Sequence, residues 1–154
     1  KKKSIPKSES AYSLYTISAD EKKSIENICS LIEKSLDEAK RYMEEIEAKQ
    51  DELKKVAASE GGQRLKVYLE SCIKSAEEKL CAKSNELEKY CNDAVLMLEL
   101  KKHLLSSLND IFEIISKISE QISENVKLEY AQLTYYIYKY RNEYKKLLRE
   151  IDKV

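Results

Sequence analysis

The side chains best suited to chemistry here are one histidine, four cysteines and a dense set of carboxylates, 28 Asp and Glu in 154 residues. Nucleophilic and general-base catalysis usually relies on a positioned histidine. The only one, His103, falls in a polar stretch that reads as a helix reversal, which makes it a loop residue. The carboxylates sit in runs such as Glu44-Glu45-Glu47 and Glu77-Glu78, on helical faces that read as solvated. A ferritin-like di-metal centre draws on Glu-x-x-His motifs from two helices, and a single histidine cannot supply them. Zinc sites take cysteines at CxxC spacing, whereas Cys29, Cys72, Cys81 and Cys91 are never closer than nine residues. The residues therefore point away from an enzyme and call for no cofactor, metal or small-molecule substrate.

The elements that position these groups follow from composition. Two Gly and one Pro in the whole chain cannot supply the turns of a sandwich, a barrel or an α/β fold, and Gly61-Gly62 alone cannot spell a phosphate-binding loop. Long helices remain. Residues 1–17 are Ser-rich and hold Pro6, a loose basic lead with a short helix around Ser8 to Ile17. Ser18 and Glu21 then match a capping box. Ile25, Ile28, Ile32, Leu36, Ala39, Met43, Ile46, Leu53 and Ala57 step three or four at a time, the spacing of one helical face. Gly61-Gly62 suits a helix end and a tight reversal near 60–62. A second stripe runs through Leu65, Leu69, Cys72, Ala76, Leu80, Leu87, Tyr90, Ala94 and Leu98. With no later Gly or Pro, Ser106, Ser107, Asn109 and Asp110 predict the second reversal at 103–110; Cys91-Asn92-Asp93 and Ser123-Glu124-Asn125 are weaker alternatives. A last stripe runs from Ile111 through Ile118, Leu133, Ile137 and Tyr140 to Ile151. Short connections force neighbours to alternate, so the expectation is an all-α, elongated, antiparallel up-and-down four-helix bundle, the short helix of the 1–17 lead joining three long ones in a helical domain over 18–154.

Formal charge is zero, which argues against a nucleic-acid partner. Locally, Lys1, Lys2, Lys3 and Lys7 against Glu9 give +3 at the start, and eight basic against eleven acidic residues over 20–59 give −3. The basic lead reads either as a solvated terminus or as an arm for anionic lipid or an acidic partner. The longest apolar run, Ala94 to Leu98, is far short of the roughly 20 residues of a membrane span. The chain begins at Lys1 without Met, so a targeting peptide removed earlier is compatible with it.

Several positions depart from the stripes. Gln50 falls between Ile46 and Leu53, Lys83 between Leu80 and Leu87, and Asn125 or Val126 followed by Glu129 or Tyr130 carry the last stripe towards Leu133. A polar group facing inward costs a few kcal/mol unless it is paired. Such groups either move to the rim and fix register in pairs, or hold the bundle at low stability so that it can open. A reversal at Gly61-Gly62 also brings Cys29 level with Cys91 to within about one turn, so a cross-helix disulfide is feasible, with four free thiols as the alternative. Six of the eleven tyrosines lie between Tyr130 and Tyr144. Tyr136, Tyr140 and Tyr144 share a face and suit the core. Tyr135 and Tyr138 lie off it and, with Lys139, Arg141, Lys145 and Lys146, suggest a contact surface.

In these features the chain resembles the small helical-bundle family of Plasmodium sporozoite proteins essential for cell traversal. The likeness lies in ENICSLIEKSLDEAKRYMEEIEAKQDELKK, in CNDAVLMLELKKHLLSSLNDIFEIISKISEQISENVKLEY and in the Tyr-rich tail, and it spans nearly the whole chain. It implies a bundle with polar groups inside, secreted from apical organelles such as micronemes, that helps the malaria parasite pass through host cells by engaging a host-cell membrane or a partner protein. The family offers no site motif, so no residue roles carry over. A rigid coiled-coil scaffold or interaction module is the alternative.

Overall fold

The computed structural model describes residues 18–57, 61–92, 98–120 and 125–152. Helix α1 spans Ala19–Ala57, α2 Gln63–Cys91, α3 Leu98–Ser119 and α4 Val126–Asp152. The start of α1 is the expected capping box: the Glu21 amide donates to Ser18 Oγ at 3.2 Å and the Ser18 amide to Glu21 Oε1 at 3.4 Å. Asp20 and Glu21 in its first turn, with Lys54 and Lys55 in its last, complement the helix dipole. Gly61, at φ 77°, adopts the left-handed backbone that reverses the chain into α2.

The helices form a ring in which α1 packs on α2, α2 on α3, α3 on α4 and α4 on α1. Bridging contacts give the directions. Glu38 and Ser35 of α1 meet Lys83 and Glu86 of α2, and Asp51, Glu44 and Glu33 of α1 meet Lys127, Tyr130 and Tyr144 of α4. Rising numbers on one helix match falling numbers on the other, so both neighbours of α1 run antiparallel to it. The protein is an all-α four-helix bundle.

Its axis is filled by the stripes read from the sequence: Ile32, Leu36, Met43 and Ile46 of α1, Leu80 and Leu87 of α2, and Leu133, Ile137 and Tyr140 of α4, each at most 2% exposed. Burying each such side chain is worth about 1.5–3 kcal/mol. Helix α3 contributes most for its length, with Leu100, Leu104, Leu108, Ile111, Ile114, Ile115 and Ile118 all buried.

The second reversal differs from expectation. Helix α3 runs unbroken through 103–110, and His103 is a half-buried helical residue. Ser106, Asn109 and Asp110 are the exposed face of a helix whose Leu104, Leu108 and Ile111 keep their spacing, and Ser107 Oγ donates back to the Leu104 carbonyl at 2.9 Å instead of capping a new helix. The breaks fall at the two weaker candidates. Asn92 closes α2, its amide bonding the Glu88 carbonyl at 3.0 Å and its side-chain Nδ2 the same carbonyl at 3.0 Å; Asn125 opens α4. The bundle is therefore completed by α3 as a separate helix within 98–119, not by a short N-terminal one, and the expected helix around Ser8 to Ile17 lies outside the described residues.

Candidate functional site

The polar interior concentrates between α1 and α2. Lys83, its side chain 16% exposed, donates from Nζ to Glu38 Oε1 at 2.6 Å and to Glu86 Oε2 at 2.9 Å. Glu86 is held further by the Ser35 hydroxyl at 2.8 Å and the Tyr90 hydroxyl at 3.2 Å. Burial alone would lower the lysine's pKa, but the bonds to Glu38 and Glu86 outweigh it and raise it. The Lys83 ammonium in turn holds the Glu86 carboxyl below its usual range, against the effect of burial. Lys83 thus faces inward as its stripe position indicated, and it is paired. Its partners were missed because Ser35 and Glu38 flank the apolar Leu36 and Ala39 on α1, a rotation the sequence does not show.

A second seam joins α1 to α4. Tyr144 donates to Glu33, Arg141 donates to Asp37, Tyr130 donates to Glu44 at 2.7 Å, and Lys127 lies 3.4 Å from Asp51. The bond to Glu44, together with burial, raises the pKa of Tyr130. Arg141, expected on a contact surface, is instead half-buried and turned to α1, because it stands one turn before Tyr144 on the α1 side of the helix.

The remaining interior candidates separate. Asn125 is exposed and caps α4, accepting from the Leu128 amide at 3.1 Å, so it is no core residue. Gln50 is half-buried in the wall of a cleft of about 500 Å³ at the bundle end nearest the α1–α2 turn, floored by Leu53, Ile73, Ile118 and Val126. Glu129, one turn after Val126, is 8% exposed, and its Oε2 has no hydrogen-bond partner among the described residues. Its place in the first turn of α4 gives the carboxylate the favourable end of the helix dipole.

At the other end, Cys29 and Cys91 are fully buried with Tyr140, whose hydroxyl lies beside the Cys29 thiol and has no nitrogen or oxygen partner among the described residues. The helix register does bring the two cysteines together, yet all four thiols are free and the feasible disulfide is not formed. Burial pushes Cys29 up to about 12, against the lowering effect of the Tyr140 hydroxyl, and burial with the neighbouring Cys29 pushes Cys91 to about 12. Such thiols are protonated at neutral pH and poor nucleophiles. Burial also raises Tyr140 well above its ordinary value.

Tyr135 and Tyr138 are 60% and 63% exposed and border, with Lys139, Asn142, Glu143 and Lys146, a groove of about 270 Å³ on the outer side of α4. Among the described residues no three His, Cys, Asp or Glu are grouped to hold a metal ion, and no helix is long and apolar enough to cross a membrane. No known protein family, curated protein or solved structure matches this chain, so the resemblance to the sporozoite cell-traversal family rests on the residues that suggested it.

Proposed function

We propose that the protein is a secreted, non-enzymatic factor whose bundle opens to present amphipathic helices to a membrane or a partner protein, in the service of host-cell traversal as the sporozoite resemblance implies. The observation that carries the opening is Glu129, a core-stripe carboxylate whose buried Oε2 has no hydrogen-bond partner among the described residues, one turn along α4 from Val126 of the end cleft. An orphaned buried acceptor destabilises by about 1–3 kcal/mol, a penalty relieved when α4 moves and water reaches the carboxylate. The α3 stripe from Leu100 to Ile118 is then the apolar face released. Dye release from liposomes tests this. Glu129→Leu, which removes the orphaned charge, is expected to release less dye than the unaltered protein. No release by either protein would defeat the reading.

The rigid-scaffold alternative draws on a different observation, the double pairing of Lys83 that ties α1 to α2. A scaffold releases no dye and keeps its melting curve when lipid is added.

A further inference from the structure

From the outward face of α4 we infer that the closed protein docks on an anionic bilayer surface through Tyr135, Tyr138, Lys139, Lys145, Lys146 and Arg149. Among the described side chains of α4, every exposed charge is positive. Lys127 is held by Asp51, while the other four cations, Lys139 to Arg149, fall in the last four turns. The acidic Glu143 and Glu150 are half-buried on its flank. The face also carries the apolar surface an interfacial helix needs, Leu128 at 54% exposure near its start and the two tyrosines at its middle, beside Lys139.

The partner's chemistry follows from that layout. From Leu128 to Arg149 the row extends about 32 Å along one convex helix, which suits a flat surface better than a bound peptide. Tyrosine rings settle at headgroup depth with the hydroxyl in water, while lysine and arginine stems reach to lipid phosphates. Each cation near an anionic membrane strengthens binding by about fivefold. Nucleic acid fits less well, since the chain's formal charge is zero and α1, the neighbour of α4, lies in a segment with an acidic excess, eight basic against eleven acidic residues over 20–59. Docking uses the outside of the closed bundle, so it goes beyond the opening proposed above and is independent of it.

Flotation of the full chain with phosphatidylserine–phosphatidylcholine vesicles tests the inference. Binding is expected, weakening with salt, and phosphatidylcholine vesicles alone should float little protein. Replacing Lys139, Lys145 and Lys146 together by Glu should weaken binding by about 100-fold or more, without changing the melting curve, because all three are exposed. The chain has no Trp, so Tyr135→Trp makes a single reporter whose emission should shift to the blue on the vesicles, while Tyr68→Trp, on the exposed face of α2, should not. Equal shifts at both positions would mean the whole bundle inserts, and face docking would be overturned. Binding that survives the triple charge reversal, or tighter binding to a single-stranded oligonucleotide than to the vesicles, would also overturn it.

Discussion

Lys83 Nζ of α2 stands 2.6 Å from Glu38 Oε1 of α1 and shares its remaining donors with Glu86 on its own helix. This bond fixes the register of the α1–α2 hairpin at a level where both stripes are otherwise aliphatic. Glu38→Ala should destabilise the protein by about 1–2 kcal/mol, because Lys83 keeps one partner and some access to water. Lys83→Met should cost less, since Glu38 and Glu86 are exposed enough to be solvated and Ser35 and Tyr90 still hold Glu86. Urea denaturation of the two variants measures both; no loss of stability in Glu38→Ala would contradict the pairing.

The same network sets the pH response. The Glu86 carboxyl is lowered in the folded state, so its contribution is present above the unfolded value of about 4.3 and is lost as pH falls through the lower folded value. The Lys83 amine is raised, so its contribution is complete below about 10.4 and is lost as pH rises through the higher folded value. Melting temperatures should therefore stay level from near pH 5 to near pH 10, apart from the other titrating groups. Glu86→Gln should flatten the acid limb relative to the unaltered protein, and an unchanged acid limb would remove Glu86 from the account.

Glu129→Leu should raise the unfolding free energy by about 1–3 kcal/mol, by removing a buried orphan acceptor and filling the same place on the α4 stripe. Glu129→Gln keeps an acceptor and adds two donors that also need partners, so it should gain less. Thermal melts of the pair decide this. If Leu loses stability, the carboxylate is satisfied in a way that tertiary burial does not reveal.

Asn125→Ala should cost about 1 kcal/mol through the lost cap of α4, and Gly61→Ala a similar amount through its left-handed backbone alone, since an added Cβ there meets nothing within 4 Å. Gly61→Asn should cost less, because Asn tolerates that conformation. These two positions also show what could be read beforehand. The Ser18–Glu21 box and the Gly61-Gly62 reversal were legible because each is a local matter of neighbouring residues and backbone geometry. The second reversal was not. Ser106, Asn109 and Asp110 are merely the wet side of α3, whereas the actual ends are written by Asn92 and Asn125 without help from Gly or Pro. Arg141 was misplaced for a further reason: whether it looks outward or at Asp37 depends on how α4 is rotated against α1, a relation between segments about a hundred residues apart.

The cysteines separate opening from closure in solution. Cys81 is exposed and Cys72 half-buried, so both should react quickly with Ellman's reagent in the native protein, while Cys29 and Cys91 are fully buried and held protonated by pKa values of about 12. Two fast and two slow thiols are therefore expected, the slow pair reacting only as fast as the bundle opens at the Tyr140 end. Anionic vesicles should speed the slow pair if lipid draws the helices apart, and should leave it unchanged if the protein only docks through the outer face of α4. Rapid reaction of all four thiols without lipid would mean that the Cys29–Cys91–Tyr140 cluster is not closed in solution.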